Sequence, residues 1–337
     1  MLTIFITAVN AIVPIVLLIA LGYVLRQRNF LTAEFVRVGN KLMFQLLLPL
    51  MLFTNTYSIP SFSSVPWDLT LYALGAILCI FILGELLTPP LTKVPGRKGV
   101  LLQSTFRSNT AVIGIPLAQA LGGEEAVQVA TIMTALCVPL LNVLAVVSLS
   151  LYGNGGGKPD VKKLLKNVAK NPLILGISAG FLCIALRTAQ QRLFGRVIFT
   201  LSGDLKFLYS ALRQAGSIAT PFALIVLGAQ FSFSAMGDMK REILWGTLWR
   251  VAIAPVLGLG SAVALTSLGL LHCVSPDYPA LIALFGTPAA VSSAVMAGQM
   301  GCDEMLATQI VVWSSIASIF TLFLTVCLLM STGLLTV

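Results

Sequence analysis

Charged side chains are scarce in this sequence. Asp, Glu, Lys and Arg make up 10% of its 337 residues, against roughly 25% in soluble domains, so a water-soluble globule is excluded. Histidine occurs once, as His272, and there is no HExxH and no cluster of Cys and His, so no metal centre is expected. The six cysteines, Cys79, Cys137, Cys183, Cys273, Cys302 and Cys327, are scattered through mostly apolar runs without CxxC spacing. They read as small core residues rather than as metal ligands or disulfide partners. Gly176, Ser178 and Gly180 spell G-x-S-x-G inside an apolar span, where small residues four apart serve close helix packing better than nucleophilic catalysis. The run Gly155 to Lys158 lacks the leading glycine and the trailing Ser or Thr of a phosphate-binding loop. No enzyme and no cofactor are expected.

What the sequence has instead is apolar length. Hydrophobic residues make up 57% and the mean hydropathy is +0.96. The chain has room for about ten spans of ~20 residues joined by short connections, hence one all-α membrane domain. The spans are expected from Met1 to Leu25, up to Thr56, Trp67 to Leu87, Gln103 to Gly123, up to Tyr152, Asn171 to Leu186, Ala215 to Met236, Leu244 to Leu271, Tyr278 to Met300, and Met305 onward. The first run has no basic residue before it and reads as a retained span rather than a cleaved signal. A net charge of +9 would suggest nucleic acid in a soluble protein, but here the bases lie between spans and set orientation. Connections after the first, third, fifth and seventh spans carry fourteen Lys or Arg, against five in the others. Both termini are therefore expected outside, in a plasma or bacterial inner membrane. All five exceptions lie in the segment 187–213, which reads as a loop or an amphipathic interfacial helix.

Residues 153–170, glycine-rich and then lysine-rich, read as a cytoplasmic linker between two five-span halves, 1–152 and 171–337. Five spans per half make any internal repeat an inverted one. An offset of 179 lays SNTAVIGIPLAQALGGEEA over TPAAVSSAVMAGQMGCDEM, with Asn109 over Pro288 and Gly122 over Gly301. The fourth span is the organising one. It buries Arg107, follows it with Ser108, Asn109 and Thr110, and then brings Gly114 and Pro116 in quick succession. Proline removes a donor and disfavours helix in the residue before it, so the helix should open between Asn109 and Pro116. Pro288 should do the same in the ninth span. Interrupted segments in corresponding places of two halves point to a transport site at their interface.

Several stretches then resemble a known family. NKLMFQLLLPLMLF, RSNTAVIGIPLAQAL, VPLLNVLAVVSL, ATPFALIVLGAQFS and TPAAVSSAVMAGQMG are similar, in order and spacing, to the auxin efflux carriers, which include plant PIN carriers and bacterial malonate or malate permeases. The resemblance implies ten helices as two inverted repeats in the bile-acid-symporter-like fold, with broken helices four and nine crossing. It further implies elevator-type alternating access and often a homodimer. The long cytoplasmic loop of the larger plant members is absent, which favours a small mono- or dicarboxylate over auxin.

The residues themselves suggest how such a site would work. Half-helices interrupted at mid-membrane expose N–H groups carrying about half a charge, which favour a carboxylate. Asn109, Thr110, Thr287, Pro288, Ser292 and Ser293 at the crossover are candidates to line it. Asn142 is either a further ligand or a helix-to-helix hydrogen bond. Arg107 either binds the anion or pairs with Glu85 or with backbone carbonyls. Glu85 and Arg250 are either a coupling or structural pair or ordinary residues near the interface. No carboxylate lies in either crossover, which favours protons or uniport over sodium. The alternatives are a sodium-coupled symporter of the same fold and a membrane receptor or channel without a transport cycle.

Overall fold

The computed structural model describes residues 2–59, 66–153, 166 and 169–335, and among them every regular element is helical. Most of the expected linker, residues 154–165, 167 and 168, lies outside the described residues. Helix α1 is Leu2–Gln27. Helix α2, Ala33–Tyr57, carries a wide π-turn at Met43–Leu47, just before Pro49. Helix α3 is Trp67–Leu87 and α4 is Pro95–Phe106. Helix α5, Thr110–Tyr152, turns sharply at Gly122 and Gly123. Gly123 has φ +64°, a conformation that disfavours a side chain, so 110–121 and 124–152 run as separate arms. Then follow α6, Pro172–Phe194; α7, Lys206–Gln230; and α8, Gly237–Ser267. The ninth hydrophobic segment is split into α9, residues 277–286, and α10, Ser292–Gln299. Helix α11 is Glu304–Ser331. Seven of these helices are long and apolar enough to cross a membrane.

Helix α1 packs along α7 and α2 along α6, while α3, α4, α5 and α8 to α11 pack mainly among themselves. The α1–α7 contact is made by backbones. A Cβ on Gly22 would meet the Ile225 carbonyl and a Cβ on Gly228 the Ile19 carbonyl. In the second pair Gly176 lies against the Pro49 carbonyl and Gly180 against Thr56. The two glycines of G-x-S-x-G are thus a close-packing face, the way helices approach when small residues line the contact, while Ser178 is exposed.

The basic segment 187–213 is mostly helix, and both expected spans run further into it. Helix α6 continues to Phe194 and α7 starts at Lys206. Arg187 explains part of this. Its Nη2 donates to the Tyr57 and Ile59 carbonyls at 2.8 and 2.9 Å, and its guanidinium lies 4.7 Å from the Tyr57 ring centroid. It caps the end of α2.

Candidate functional site

Helix α4 and residues 278–286 of α9 are buried almost along their lengths, and both stop inside the protein. Beyond them the chains unwind and meet. Ser108 and Ala289 form an antiparallel bridge, with Asn109 N–H donating to the Pro288 carbonyl at 2.8 Å and Ala290 N–H to the Arg107 carbonyl at 3.2 Å. The residues that the 179-residue offset aligns, Asn109 and Pro288, are therefore bonded to each other. The two strands give each other the hydrogen bonds that the helix lost, which is how bare backbone survives away from water.

The opening falls at Arg107 to Asn109, earlier than expected. Thr110–Gly114 is a π-turn and Pro116 lies in the first turn of regular helix after it, where a missing N–H is tolerated. Pairing with the second segment, not the proline, sets the break. Gly114 packs against Ala283 of α9, so it holds the two interrupted segments close without itself being unwound.

Arg107 is 4% exposed. Its Nη2 donates to Asn142 Oδ1 and to Ser292 Oγ, both at 2.8 Å, and its Nη1 points at Met296 Sδ. Asn142 Nδ2 in turn donates to the Val138 carbonyl at 2.8 Å, so Asn142 aims the guanidinium. Glu85 accepts from the Tyr152 hydroxyl at 2.6 Å instead. Arg250 reaches backbone carbonyls at Phe285 and Thr105. Pairing of Glu85 with Arg250, or of Arg107 with Glu85, is not what these side chains do. Among the described residues no carboxylate pairs with either arginine.

A cavity of about 60 Å³ lies on this side of the crossover, lined by Arg107, Ser108, Asn109, Thr110, Asn142, Ala290 and Ser292, with Leu48, Met51, Thr220 and Ala223 opposite. Asn109 Nδ2 is buried without a partner. Ser108 and Thr110 hydroxyls bond each other at 2.7 Å. Met51, Leu52, Ala111, Val112, Val138 and Thr220 also line a wider cavity of about 250 Å³ bounded by Asn55, Ser58 and Thr131. On the side of the basic connections a third cavity, about 780 Å³, shares no lining residue with these two. There Asn40 Nδ2 and Gln230 Nε2 both donate to Glu304 Oε1 at 2.7 Å, tying α2 and α7 to α11.

Three expected ligands are turned away from the cavity. Thr287 is fully buried and its hydroxyl donates to the Ala283 carbonyl at 2.9 Å. Pro288 contributes only its carbonyl, to Asn109. Ser293 faces a closed space of about 10 Å³ with Gln103 and Ser104. Alternate residues of an extended segment point to opposite sides, and the first turn of α10 sends Ser292 and Ser293 different ways. Glu304 stood out in the sequence only as one of the acidic residues after Gly301 in the 179-residue offset, and Gln103 only as the start of the fourth span; nothing local indicated their partners.

The arrangement is a positive pole without a counter-charge. Helix N-termini begin at Thr110 and Ser292, each carrying about half a positive charge, and Arg107 adds one more.

The sequence comparisons agree with a membrane carrier. The family described as membrane transport protein matches residues 7–155 and 160–326. A stretch of 163 residues is 24% identical to Protein PIN-LIKES 2 of Arabidopsis thaliana, covering 47% of this chain and 34% of that protein. The chain belongs to the membrane transport protein family, that of the auxin efflux carriers.

Proposed function

We propose that this protein is a secondary active transporter of small organic anions, mono- or dicarboxylates such as malonate or malate. The observation that carries this reading is the unpaired Nδ2 of Asn109 beside an arginine without a carboxylate, both lining one cavity at two helix N-termini. The Arg107 fork suits a carboxylate. Ser292 and Asn142, now held by Arg107, would turn to the bound anion or stay as its supports.

The cycle is alternating access of the elevator type. Helices α1, α2, α6 and α7 serve as the scaffold, and the elements around the crossover move past them with the substrate. The reciprocal α1–α7 and α2–α6 contacts support two inverted halves, 1–152 and 171–337, of five spans each. In the described state the binding cavity continues toward Asn55 and Ser58, the non-basic side, while the Asn40–Glu304–Gln230 bonds line a separate cavity on the basic side and hold α2 and α7 to α11 there. With basic connections facing the cytoplasm, this state is open outward, and both termini are outside the plasma membrane. Coupling to protons or uniport, and assembly as a homodimer, complete the proposal.

Counterflow in proteoliposomes tests it: labelled malonate should enter faster when unlabelled malonate or malate is inside. Flux that neither saturates nor responds to internal substrate would point to a channel. A cysteine at Gly155 should react with an impermeant maleimide from the cytoplasmic side only, and labelling from outside would invert the orientation.

A further inference from the structure

Arg250 is a buried charge that the anion cavity does not use. It is 0% exposed and sits in a wide turn of α8, Trp249–Ile253. Its Nη2 donates to the Phe285 carbonyl and its Nη1 lies 3.5 Å from the Thr105 carbonyl. These two acceptors share one property. Each belongs to the last turn of a half-helix that stops at the crossover, α9 in one case and α4 in the other. The last four carbonyls of a helix have no partner within it, and they carry about half a negative charge per terminus. Two such ends offset about one guanidinium.

We infer that Arg250 is the fixed counter-cation of the crossover's carbonyl pole, a positioning residue that fills permanently the place a dissolved cation would otherwise occupy. A pole of convergent carbonyl oxygens buried in the protein is an acceptor-only environment, and oxygen-only sites attract hard cations such as sodium. The guanidinium meets the same demand with donors from within the chain. Transport is consequently independent of sodium at this pole. Removing the side chain should uncover a monovalent-cation site formed by Thr105 and Phe285 carbonyls, whereas an arginine that only filled space would leave none. The inference rests on the transport reading of the crossover, but its primary test needs no substrate.

That test is thermal unfolding of the purified protein in sodium chloride against choline chloride at equal ionic strength. Wild type and Arg250→Lys should melt alike in both salts. Arg250→Ala should melt lower in choline and recover, saturably, with sodium or with millimolar methylguanidinium. Arg250→Gln, which keeps most of the volume, serves if the alanine variant does not fold. In proteoliposomes malonate uptake by wild type should be equal in the two salts. Uptake by the alanine or glutamine variant should fall roughly tenfold or more in choline and recover in part with sodium. A wild type that requires sodium would overturn the inference. So would a folded variant whose melting is lowered equally in every salt. Absence of malonate uptake in all variants and salts would count against the carboxylate reading alone, since the melting curves still decide the role of Arg250.

Discussion

Two arginines are buried at the crossover, Arg107 at 4% and Arg250 at 0% exposure, and they stand at opposite electrical ends of it. Arg250 meets helix C-termini, whose partial charge has the opposite sign. Arg107 follows the end of α4, but its guanidinium reaches the start of α10, facing Asn142, Ser292 and Met296, where the helix-end charge has its own sign. The first charge is compensated and the second is not. Burying an uncompensated charge is costly, and in the proposed function the anion brought to the cavity supplies the missing counter-charge. Burial alone does not distinguish a structural arginine from a binding one. The polarity of the helix ends around it does.

The contrast breaks most sharply at Arg107 itself. Arg107→Gln should weaken malonate binding by about 3 kcal/mol, more than a hundredfold, as measured by substrate-dependent melting, with the fold intact because no carboxylate is left unpaired. Asn109→Ala removes the free donor and should cost ~1–3 kcal/mol, roughly a five- to more than hundredfold loss of affinity in the same assay. Glu304→Ala removes the acceptor that joins α2 and α7 to α11. It should change the outward-to-inward equilibrium constant about five- to thirtyfold, by ~1–2 kcal/mol, and slow maleimide labelling of Thr220→Cys from the outer side in proportion to the lost outward population. The smallest effects belong to the residues turned away. Ser293→Ala deletes a buried hydroxyl that has no partner and should change binding and stability by no more than about 0.5 kcal/mol.

Much of this was readable in advance. A buried arginine followed by Ser, Asn and Thr, and a second interrupted segment 179 residues on, located the crossover, and Arg107, Asn109, Thr110, Asn142 and Ser292 all line its cavity. What stayed hidden was direction. Whether Ser292 or Ser293 faces the cavity depends on the bridge between Ser108 and Ala289, a long-range register that no local propensity encodes. Pro288 does stand in the break of its segment, but Pro116 misled for the same reason. Pro116 marks where helix can start, while the break lies at the strand contact. Arg250 and Glu304 meet partners from other helices, 35 to 264 residues away in sequence, so their roles emerge only when the helices are packed.

The central claim is that the anion sits at the donor pole, and one side-by-side titration tests it. Wild type, Arg107→Gln and Ser293→Ala, each purified and shown to be folded, are melted over a range of malonate concentrations at constant ionic strength. The account predicts a saturable rise in Tm for wild type and Ser293→Ala, displaced by at least about a hundredfold in concentration for Arg107→Gln. Equal stabilisation of all three proteins, or loss of the response in Ser293→Ala alone, would contradict it.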